Sequence, residues 1–192
     1  MTAAALVVAA LVLSVERACY VAIARAPESF RARCARPDVA RFGPPLAIVE
    51  KLFYAFKVIQ AAVFAAWCAV HAGGSLRPTC DVPVVLALAS GAIVVGQTLS
   101  LAVFYRLGRT GAFFGDRLGY QVPWCDAFPF SLLAHPQYVG AVLTIWGVFV
   151  VMRFPGDDWY LLPAVETVLY AVGAALEERP RGAAPRSAEQ VS

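Results

Sequence analysis

The chain alternates between long apolar segments and shorter stretches that carry most of its charged residues. An α-helix needs about 20 mostly apolar residues to cross the hydrocarbon core of a bilayer. Five apolar segments are predicted to form helices, at residues 3–24, 46–70, 82–105, 138–152 and 159–176. The pattern therefore predicts an all-α, polytopic transmembrane helical bundle with four to five membrane helices.

The last two segments form the least regular part of this pattern. Residues 138–152 are too few to cross the core at about 1.5 Å per residue. Residues 159–176 are interrupted by Pro163 and Glu166, and a turn rich in proline and glycine, RFPGDD, joins the two segments. They are predicted to form a C-terminal helical hairpin that need not cross fully.

Polar and small residues within the first three segments add detail. Glu16 and Arg17 lie too deep for a cleaved leader, and no basic region precedes the first apolar run, so this segment is predicted to be a helix rather than a signal peptide. Lys57 is expected to extend toward the near interface. The third segment is rich in small and polar residues, which favours close helix packing or a cofactor lying against one face.

Composition supports a membrane protein. Hydrophobic residues make up 60% of the 192 residues and charged residues 15%, against about 25% charged in soluble domains. One membrane-embedded domain over 1–192 is expected, with a flexible tail at 179–192. The net charge of +3 gives no reason to expect nucleic acid. The five cysteines form no CxxC pair, so no metal site is expected, and the final EQVS lacks a cysteine for a lipid anchor.

Arginines concentrate in three stretches, at 25–41, 106–117 and 179–186. Cytoplasmic loops of membrane proteins carry an excess of lysine and arginine. If every segment crosses, these stretches share the cytosolic side and the acidic PGDD turn lies opposite. This agreement favours five crossings, while four crossings, with the first or fourth segment only partly inserted, remain open.

Most of the candidate chemistry lies after the third segment. Gly108 and Gly111 belong to a glycine-rich, aromatic stretch, where glycines permit close approach of a ligand or a second helix. Pro136 disfavours helical dihedrals at His135 and opens the next helix. A histidine at this exposed position is more often structural than catalytic, and Tyr138 is either an interfacial aromatic or a functional residue.

Two acidic residues follow the fifth segment. Glu177 and Glu178 oppose the helix macrodipole at a C-terminus. Either the neighbouring Arg179 and Arg181 compensate for them, or the pair holds a cationic or hydroxyl-bearing ligand.

Four motifs together resemble one family. They are LGRTGAFFGDRLG at 107–119, AFPF at 127–130, HPQYVG at 135–140 and LEE at 176–178. In this order and spacing they resemble the phospholipid methyltransferases, the family of phosphatidylethanolamine and phosphatidyl-N-methylethanolamine N-methyltransferases. The resemblance implies S-adenosylmethionine as methyl donor, an ethanolamine phospholipid as acceptor, and an endoplasmic reticulum membrane with the donor site facing the cytosol.

The resemblance also implies donor-binding residues. In the family a Gly-x-Gly in the third helix and the terminal glutamate pair are assigned to the donor, which implies Gly96, Glu177 and Glu178 here. Val94 replaces the first glycine, so either Gly96 suffices or the binding register moves toward Gly91. The motif glycines at 108 and 111 are assigned to the same cofactor site.

The acceptor side of the site follows from the chemistry of the amine. An alkylammonium ion is protonated near neutrality, so a proton must be removed before the nitrogen can attack. His135 or Asp126 is expected to assist deprotonation, with Tyr138 as a further candidate catalytic residue. Aromatic residues are expected to line an interfacial slot for the lipid: Phe113, Phe114, Trp124, Phe128 and Phe130.

Alternatives remain open at this point. His135 stands where the closest relatives carry asparagine, and a His-Pro pair is the form seen in the wider superfamily, which includes isoprenylcysteine carboxyl methyltransferases.

A non-catalytic small membrane protein or a transporter is the other alternative, but the polar groups are expected to gather at one end rather than at the midplane. Arg106, Arg109 and Arg117 either pair with lipid phosphate or are solvated.

Overall fold

The computed structural model describes residues 2–123 and 125–177. This part of the chain is helical and contains no strand, which confirms the predicted all-α bundle. Its seven helices are α1 (Thr2–Arg25), α2 (Pro27–Cys34), α3 (Pro37–Ala40), α4 (Pro45–His71), α5 (Pro83–Ala112), α6 (Pro136–Arg153) and α7 (Leu161–Glu177). The tail predicted to be flexible, residues 179–192, lies outside the described residues.

Among the described helices, four are long and apolar enough to cross a membrane. They are Ala3–Arg25, Pro45–His71, Pro83–Ala112 and Pro136–Arg153. Their outward faces carry exposed apolar side chains, such as Leu11 at 64% and Leu88 at 72% exposure. A soluble protein rarely exposes so extensive an apolar surface. The protein is therefore integral to a membrane.

The hairpin of α6 and α7 differs from the sequence prediction in both helices. α6 has 18 residues because it begins at Pro136, ahead of the apolar run, and this makes it long enough to span. α7 has 17 residues and is not interrupted. Pro163 lies in its first turn, where a helix leaves N–H groups unpaired in any case, and Glu166 is buried inside the bundle at 2% exposure.

Proline begins five of the described helices. Pro27, Pro37, Pro45, Pro83 and Pro136 are the first residues of α2 to α6 in order. The fixed φ of proline suits the first helical position, and its missing N–H is not needed there. The starts of these helices are therefore determined by local backbone chemistry.

Two short helices in the arginine-rich segment were not predicted. α2 and α3 lack the long apolar run on which the prediction of the other helices was based. They are held instead by a few contacts: Cys34 is buried at 4% exposure, and Phe30 packs against a buried cluster that includes Tyr20 and Val49. These contacts keep the basic segment along one end of the bundle.

α5 and α6 form the most extensive helix pair, and α1 packs along α7. Gly96 and Gly140 meet across the α5–α6 contact. A Cβ on Gly96 would lie 2.4 Å from the Gly140 carbonyl oxygen, and a Cβ on Gly140 would lie 2.5 Å from that of Gly96. Gly147 repeats this contact against the Ala89 carbonyl oxygen, at 2.6 Å. Small residues at these positions let the two backbones touch.

Buried polar side chains separate two apolar clusters along the bundle. The first cluster includes Leu13 and Phe149, and the second includes Tyr20 and Val49. Polar side chains from α1, α4 and α7 lie between them, and we call this set the polar layer: Glu16, Arg17, Lys57, Gln60, Glu166 and Tyr170.

Lys57 does not extend to the interface, so that prediction was wrong. It lies near the middle of α4, and its Nζ atom is 3.2 Å from Glu16 Oε1. The expectation that the polar groups gather at one end was also wrong, because the polar layer lies partway along the bundle. Periodicity within one segment cannot reveal an acidic partner on another helix.

Hydrogen bonds determine which helix ends lie together. Arg25 Nε donates to the Leu176 carbonyl oxygen at 3.1 Å, so α1 and α7 end side by side. At the opposite end, Arg153 pairs with Asp158 at 2.6 Å. The basic stretch 25–41 and the C-terminus of α7 therefore share one end, as the predicted topology requires. The side of the membrane that this end faces stays a prediction.

The α5–α6 contact generates the first prediction. Gly96→Ala should destabilise the bundle by about 1–3 kcal/mol, because the new methyl group overlaps the α6 backbone. Gly91→Ala is the matched control, since nothing lies within 4 Å of a Cβ added there. The control should be neutral or stabilising by about 0.5–1 kcal/mol, as glycine is unfavourable inside a helix. Thermal unfolding in detergent measures both, and equal effects would contradict the close contact.

Candidate functional site

A cavity of about 660 Å³ lies between the five long helices. Its wall includes Glu177 and Arg117 at the end where α1 and α7 terminate, and Gln60 and Phe64 farther along α4. α6 lines it at helical spacing from residue 138 to residue 148. The cavity thus extends from one end of the bundle to the polar layer.

Glu177 is the last described residue of α7 and lines this cavity. Its Oε2 atom accepts a hydrogen bond from the Tyr138 hydroxyl. Its Oε1 atom is buried and has no hydrogen-bond partner within the described residues. The site therefore contains a buried acceptor oxygen. The hydrogen bond from Tyr138 to the other oxygen of the same carboxylate holds it in position.

Arg117 holds the end of α7 against the end of α1. Its guanidinium donates to the Glu177 carbonyl oxygen at 2.9 Å and to the Ala24 carbonyl oxygen at 3.2 Å. The last carbonyl groups of a helix have no partner within the helix, so these bonds satisfy groups that would otherwise be unpaired. Arg117 therefore positions Glu177 relative to the rest of the bundle.

His135 and Tyr138 are placed by the start of α6. Pro136 is the first helical residue, which leaves His135 at the N-cap with φ −129° and ψ 65°. The His135 and Tyr138 rings stack with centroids 5.9 Å apart, and the Tyr138 ring meets Tyr170 edge-on at 5.5 Å. His135 was expected to be exposed, but it is half-buried and lines the cavity. The structure thus brings His135, Tyr138 and Glu177 together.

Residues 84–181, about half of the chain, match the family described as phospholipid methyltransferase. The chain belongs to the phospholipid methyltransferase family. This confirms the family that the sequence motifs indicated. The matched range contains the three side chains that meet at the cavity and begins in the first turn of α5, so α1 and α4 lie outside it.

Named relatives of the chain occur in a plant, a yeast and a mammal. The chain is 40% identical over 50 residues to the phosphatidyl-N-methylethanolamine N-methyltransferase of Arabidopsis thaliana, and 31% identical over 85 residues to the protein of the same name in Saccharomyces cerevisiae. It is 33% identical over 84 residues to the phosphatidylethanolamine N-methyltransferase of Rattus norvegicus.

These alignments cover 26%, 44% and 43% of this chain, and 30%, 40% and 41% of the three relatives in the same order. The chain therefore spans less than half the length of each relative. No solved structure matches it at a significant level.

The glycine-rich motif shapes one wall of the cavity. α5 continues through it to Ala112, past the predicted end at residue 105. Gly108 kinks the helix with φ +59°, in the left-handed region that favours glycine. Gly111 lines the cavity, and Phe113 is 2% exposed with its ring 5.3 Å from that of Phe53. The kink at Gly108 therefore sets the direction of the last turn of α5, in which Gly111 lines the cavity.

Gly91 and Gly96 of α5 do not reach the cavity. Gly96 is occupied by its contact with α6 and is not part of the cavity wall. Gly91 is exposed, with nothing within 4 Å of an added Cβ. The geometry therefore supports helix packing for Gly96, whereas Gln97 and Ser100 of the same small-residue segment line the cavity.

The remaining predicted site residues are divided between the cavity and the surface. Phe130 lines the cavity together with Phe113 and Phe114, whereas Phe128 is 42% exposed and Asp126 is exposed outside the cavity wall. In the described part of the chain, no group of three His, Cys, Asp or Glu side chains is placed to hold a metal ion. Two further predicted site residues lie outside the described residues: Trp124 and Glu178.

Three arginines predicted to meet lipid phosphate or solvent also make contacts within the protein, and Arg106 and Arg109 are exposed as well. Arg106 Nε donates to the Phe128 carbonyl oxygen at 3.2 Å. Arg109 pairs with Glu50 on α4. With Arg117 holding α7, all three connect the motif region to the rest of the bundle.

The polar layer is the part of the site that sequence reasoning missed. Its link to the site is Arg17, whose guanidinium carbon lies 3.9 Å from the Tyr170 ring centroid and 5.6 Å from that of Tyr138. The signal that would have found it is the presence of ionisable residues inside apolar segments. Such residues are rare in membrane helices and almost always face the bundle interior.

The contacts of Arg117 generate the second prediction. Arg117→Met should destabilise the protein by about 2 kcal/mol, since two charge-assisted hydrogen bonds are lost. It should also speed hydrogen exchange in residues 174–177, which lose one of their two arginine ties to α1 and keep only the bond from Arg25. Arg109→Met is the matched control, because that side chain is 65% exposed and its ion pair contributes far less. Unchanged exchange at the end of α7 in Arg117→Met would contradict the positioning role.

Proposed function

We propose that this protein transfers a methyl group from S-adenosylmethionine to the amine of an ethanolamine phospholipid, toward phosphatidylcholine. The observation that carries the proposal is the meeting of His135, Tyr138 and Glu177 at one cavity within the matched range of the family. The names of the three relatives support the same reaction class.

Glu177 is proposed to hold the donor. S-Adenosylmethionine carries an ammonium group and ribose hydroxyls, and the buried Oε1 atom of Glu177 is an acceptor with no partner within the described residues. A buried acceptor left unpaired is costly, so a donor group placed there would be favoured. Tyr138 keeps the carboxylate in place through Oε2. Glu178 stays a predicted second donor ligand.

The lipid amine is proposed to approach from the bilayer. Phe113, Phe114 and Phe130 supply aromatic surface on the cavity wall. Much of the cavity wall is apolar, and a partly desolvated site favours a neutral nucleophile over an ammonium ion. When bound, S-adenosylmethionine supplies an activated methyl carbon, so the protein's own task is mainly to hold the amine in line with it.

His135 is proposed as the group that removes the proton. The lipid nitrogen must lose one proton before its lone pair can attack. An imidazole ring accepts protons near neutral pH, and His135 lines the cavity while the other candidate, Asp126, is exposed outside it. The unprotonated ring nitrogen of His135 takes the proton and passes it toward the open end of the site.

We further propose an endoplasmic reticulum location with this end of the bundle facing the cytosol. The endoplasmic reticulum is what the family resemblance implies. The concentration of arginines in residues 25–41 and 106–117 supports the orientation, since basic residues favour the cytoplasmic side. A donor dissolved in the cytosol would then reach Glu177 directly.

Product identity tests the proposal. Membranes containing the expressed chain should convert labelled S-adenosylmethionine into phospholipids with mono-, di- or trimethylated amines. Glu177→Gln keeps the shape of the side chain but removes its charge, so donor affinity should fall about tenfold or more. Glu28→Gln is the control, because Glu28 lies on α2 with an 80% exposed side chain. Label released as a base-labile methyl ester, or unaltered donor binding in Glu177→Gln, would contradict the proposal.

The pH dependence of a second variant tests the proton acceptor. His135→Gln should lower kcat about 100-fold at neutral pH, with donor affinity retained. The deficit should shrink as pH rises, because the lipid amine then loses its proton to solvent without a base. His71→Gln, at the opposite end of the bundle, should leave kcat unchanged. A deficit in His135→Gln that stays constant with pH would assign the residue a structural role.

A further inference from the structure

The ammonium group of Lys57 lies in a cage of oxygen atoms and aromatic rings. Three oxygen atoms surround Nζ, at 2.9 Å from Gln60, 3.1 Å from Tyr170 and 3.2 Å from Glu16. The ring centroids of Phe53 and Tyr170 lie 5.6 Å and 5.8 Å from it. A carboxylate combined with aromatic ring faces is an environment that attracts ammonium ions. We call Glu16, Phe53, Gln60 and Tyr170 the ammonium cage.

The ammonium cage is held in shape by contacts that do not involve Lys57. Glu16 also pairs with Arg17 at 3.0 Å. The Gln60 side-chain amide donates to Glu166 Oε1 at 2.7 Å, which turns the Gln60 carbonyl oxygen toward the cage. Glu16 and Glu166 are 4% and 2% exposed, so both are fixed inside the bundle. The cage would therefore persist if Lys57 left it.

Lys57 is less confined than Glu16, its acidic partner in the cage. Its side chain is 31% exposed, against 5% for that of Glu16, and a lysine side chain is long and flexible. With Glu16, Glu166, Arg17 and Lys57 all ionised, the polar layer has no net charge. Departure of Lys57 leaves one excess negative charge in a low-dielectric interior, which another cation would neutralise.

We propose that the ammonium cage is the binding site for the ammonium headgroup of the lipid, and that Lys57 fills it when no lipid is bound. The assignment rests on the proposed function, which supplies the ethanolamine lipid. Glu16, Phe53, Gln60 and Tyr170 all line the 660 Å³ cavity that Glu177 and His135 also line. Tyr170 meets Tyr138 edge-on at 5.5 Å, so the cage adjoins the donor end.

The number of oxygen atoms indicates the class of lipid. A primary ammonium ion has three N–H donors, and the cage offers three acceptors at 2.9–3.2 Å. Each methyl group added to nitrogen removes one N–H donor, so one hydrogen bond to the cage is lost and binding weakens. Affinity should fall stepwise from phosphatidylethanolamine through its monomethyl and dimethyl forms to phosphatidylcholine. The cage therefore favours the start of the methylation series and the release of its end product.

Lipid binding to the full chain in detergent tests the inference. Purified protein is titrated with each of the four lipids in short-chain form, and with phosphatidylglycerol as a lipid without an amine. Thermal shift or native mass spectrometry reports the affinity without any methyl transfer. Three variants accompany the unaltered chain: Lys57→Met, Glu16→Gln and Lys51→Met. Lys51 is the matched control on α4, since it bonds the Phe42 carbonyl oxygen and does not line the cavity.

Lys57→Met should bind phosphatidylethanolamine about tenfold more tightly than the unaltered chain, because no internal cation then competes for the cage. Glu16→Gln should bind it about tenfold more weakly, and Lys51→Met should be unchanged. Equal or weaker binding by Lys57→Met, or full affinity in Glu16→Gln, would overturn the assignment. The rank order of the four lipids on the unaltered chain serves as the test if a variant does not fold, and equal affinities would also overturn it.

Failure of this inference is distinguishable from failure of the proposed function. A chain that methylates lipids but binds all four alike would refute the ammonium cage alone. A chain that ranks the lipids in the expected order but makes no methylated lipid would refute the methyltransferase proposal and leave the cage assigned.

Discussion

The need to keep Glu16 and Lys57 away from lipid is the constraint on which the rotation of α1 and α4 depends. A charge facing lipid is costly, and an unpaired charge in the interior is costly too. α1 and α4 must therefore turn these residues toward each other, which fixes the rotation of both helices. Their remaining apolar faces are then directed to the bilayer, and the space beside the charges becomes a cavity with a polar wall.

Two helix pairs supply the opposite walls of that cavity. α5 and α6 are joined by backbone contacts at glycines, whereas α1 and α7 are joined through arginines that bond to carbonyl groups at helix ends. His135 and Tyr138 belong to the first pair and Glu177 to the second. The hydrogen bond from Tyr138 to Glu177 crosses between the pairs. The candidate site thus exists only where the two pairs meet.

Much of this could be predicted from the sequence. Apolar segment lengths predicted the long helices, and motif order predicted the family and brought His135, Tyr138 and Glu177 forward as site residues. The polar layer could not be predicted, because pairing of Glu16 with Lys57 depends on how two distant helices are rotated. The packing role of Gly96 was left undecided for a similar reason: a small residue looks the same in sequence whether a helix or a ligand approaches it.

The prolines that begin the helices bear on the range of membranes in which the site keeps its shape. A bilayer thicker or thinner than the helices is accommodated mainly by helix tilt and by local change in the lipid. Since Pro136 rather than the bilayer determines where α6 begins, the one-turn spacing between His135 and Tyr138 is independent of hydrocarbon thickness. The geometry of the candidate site at this end is therefore a property of the chain, while the depth at which it lies is a property of the membrane.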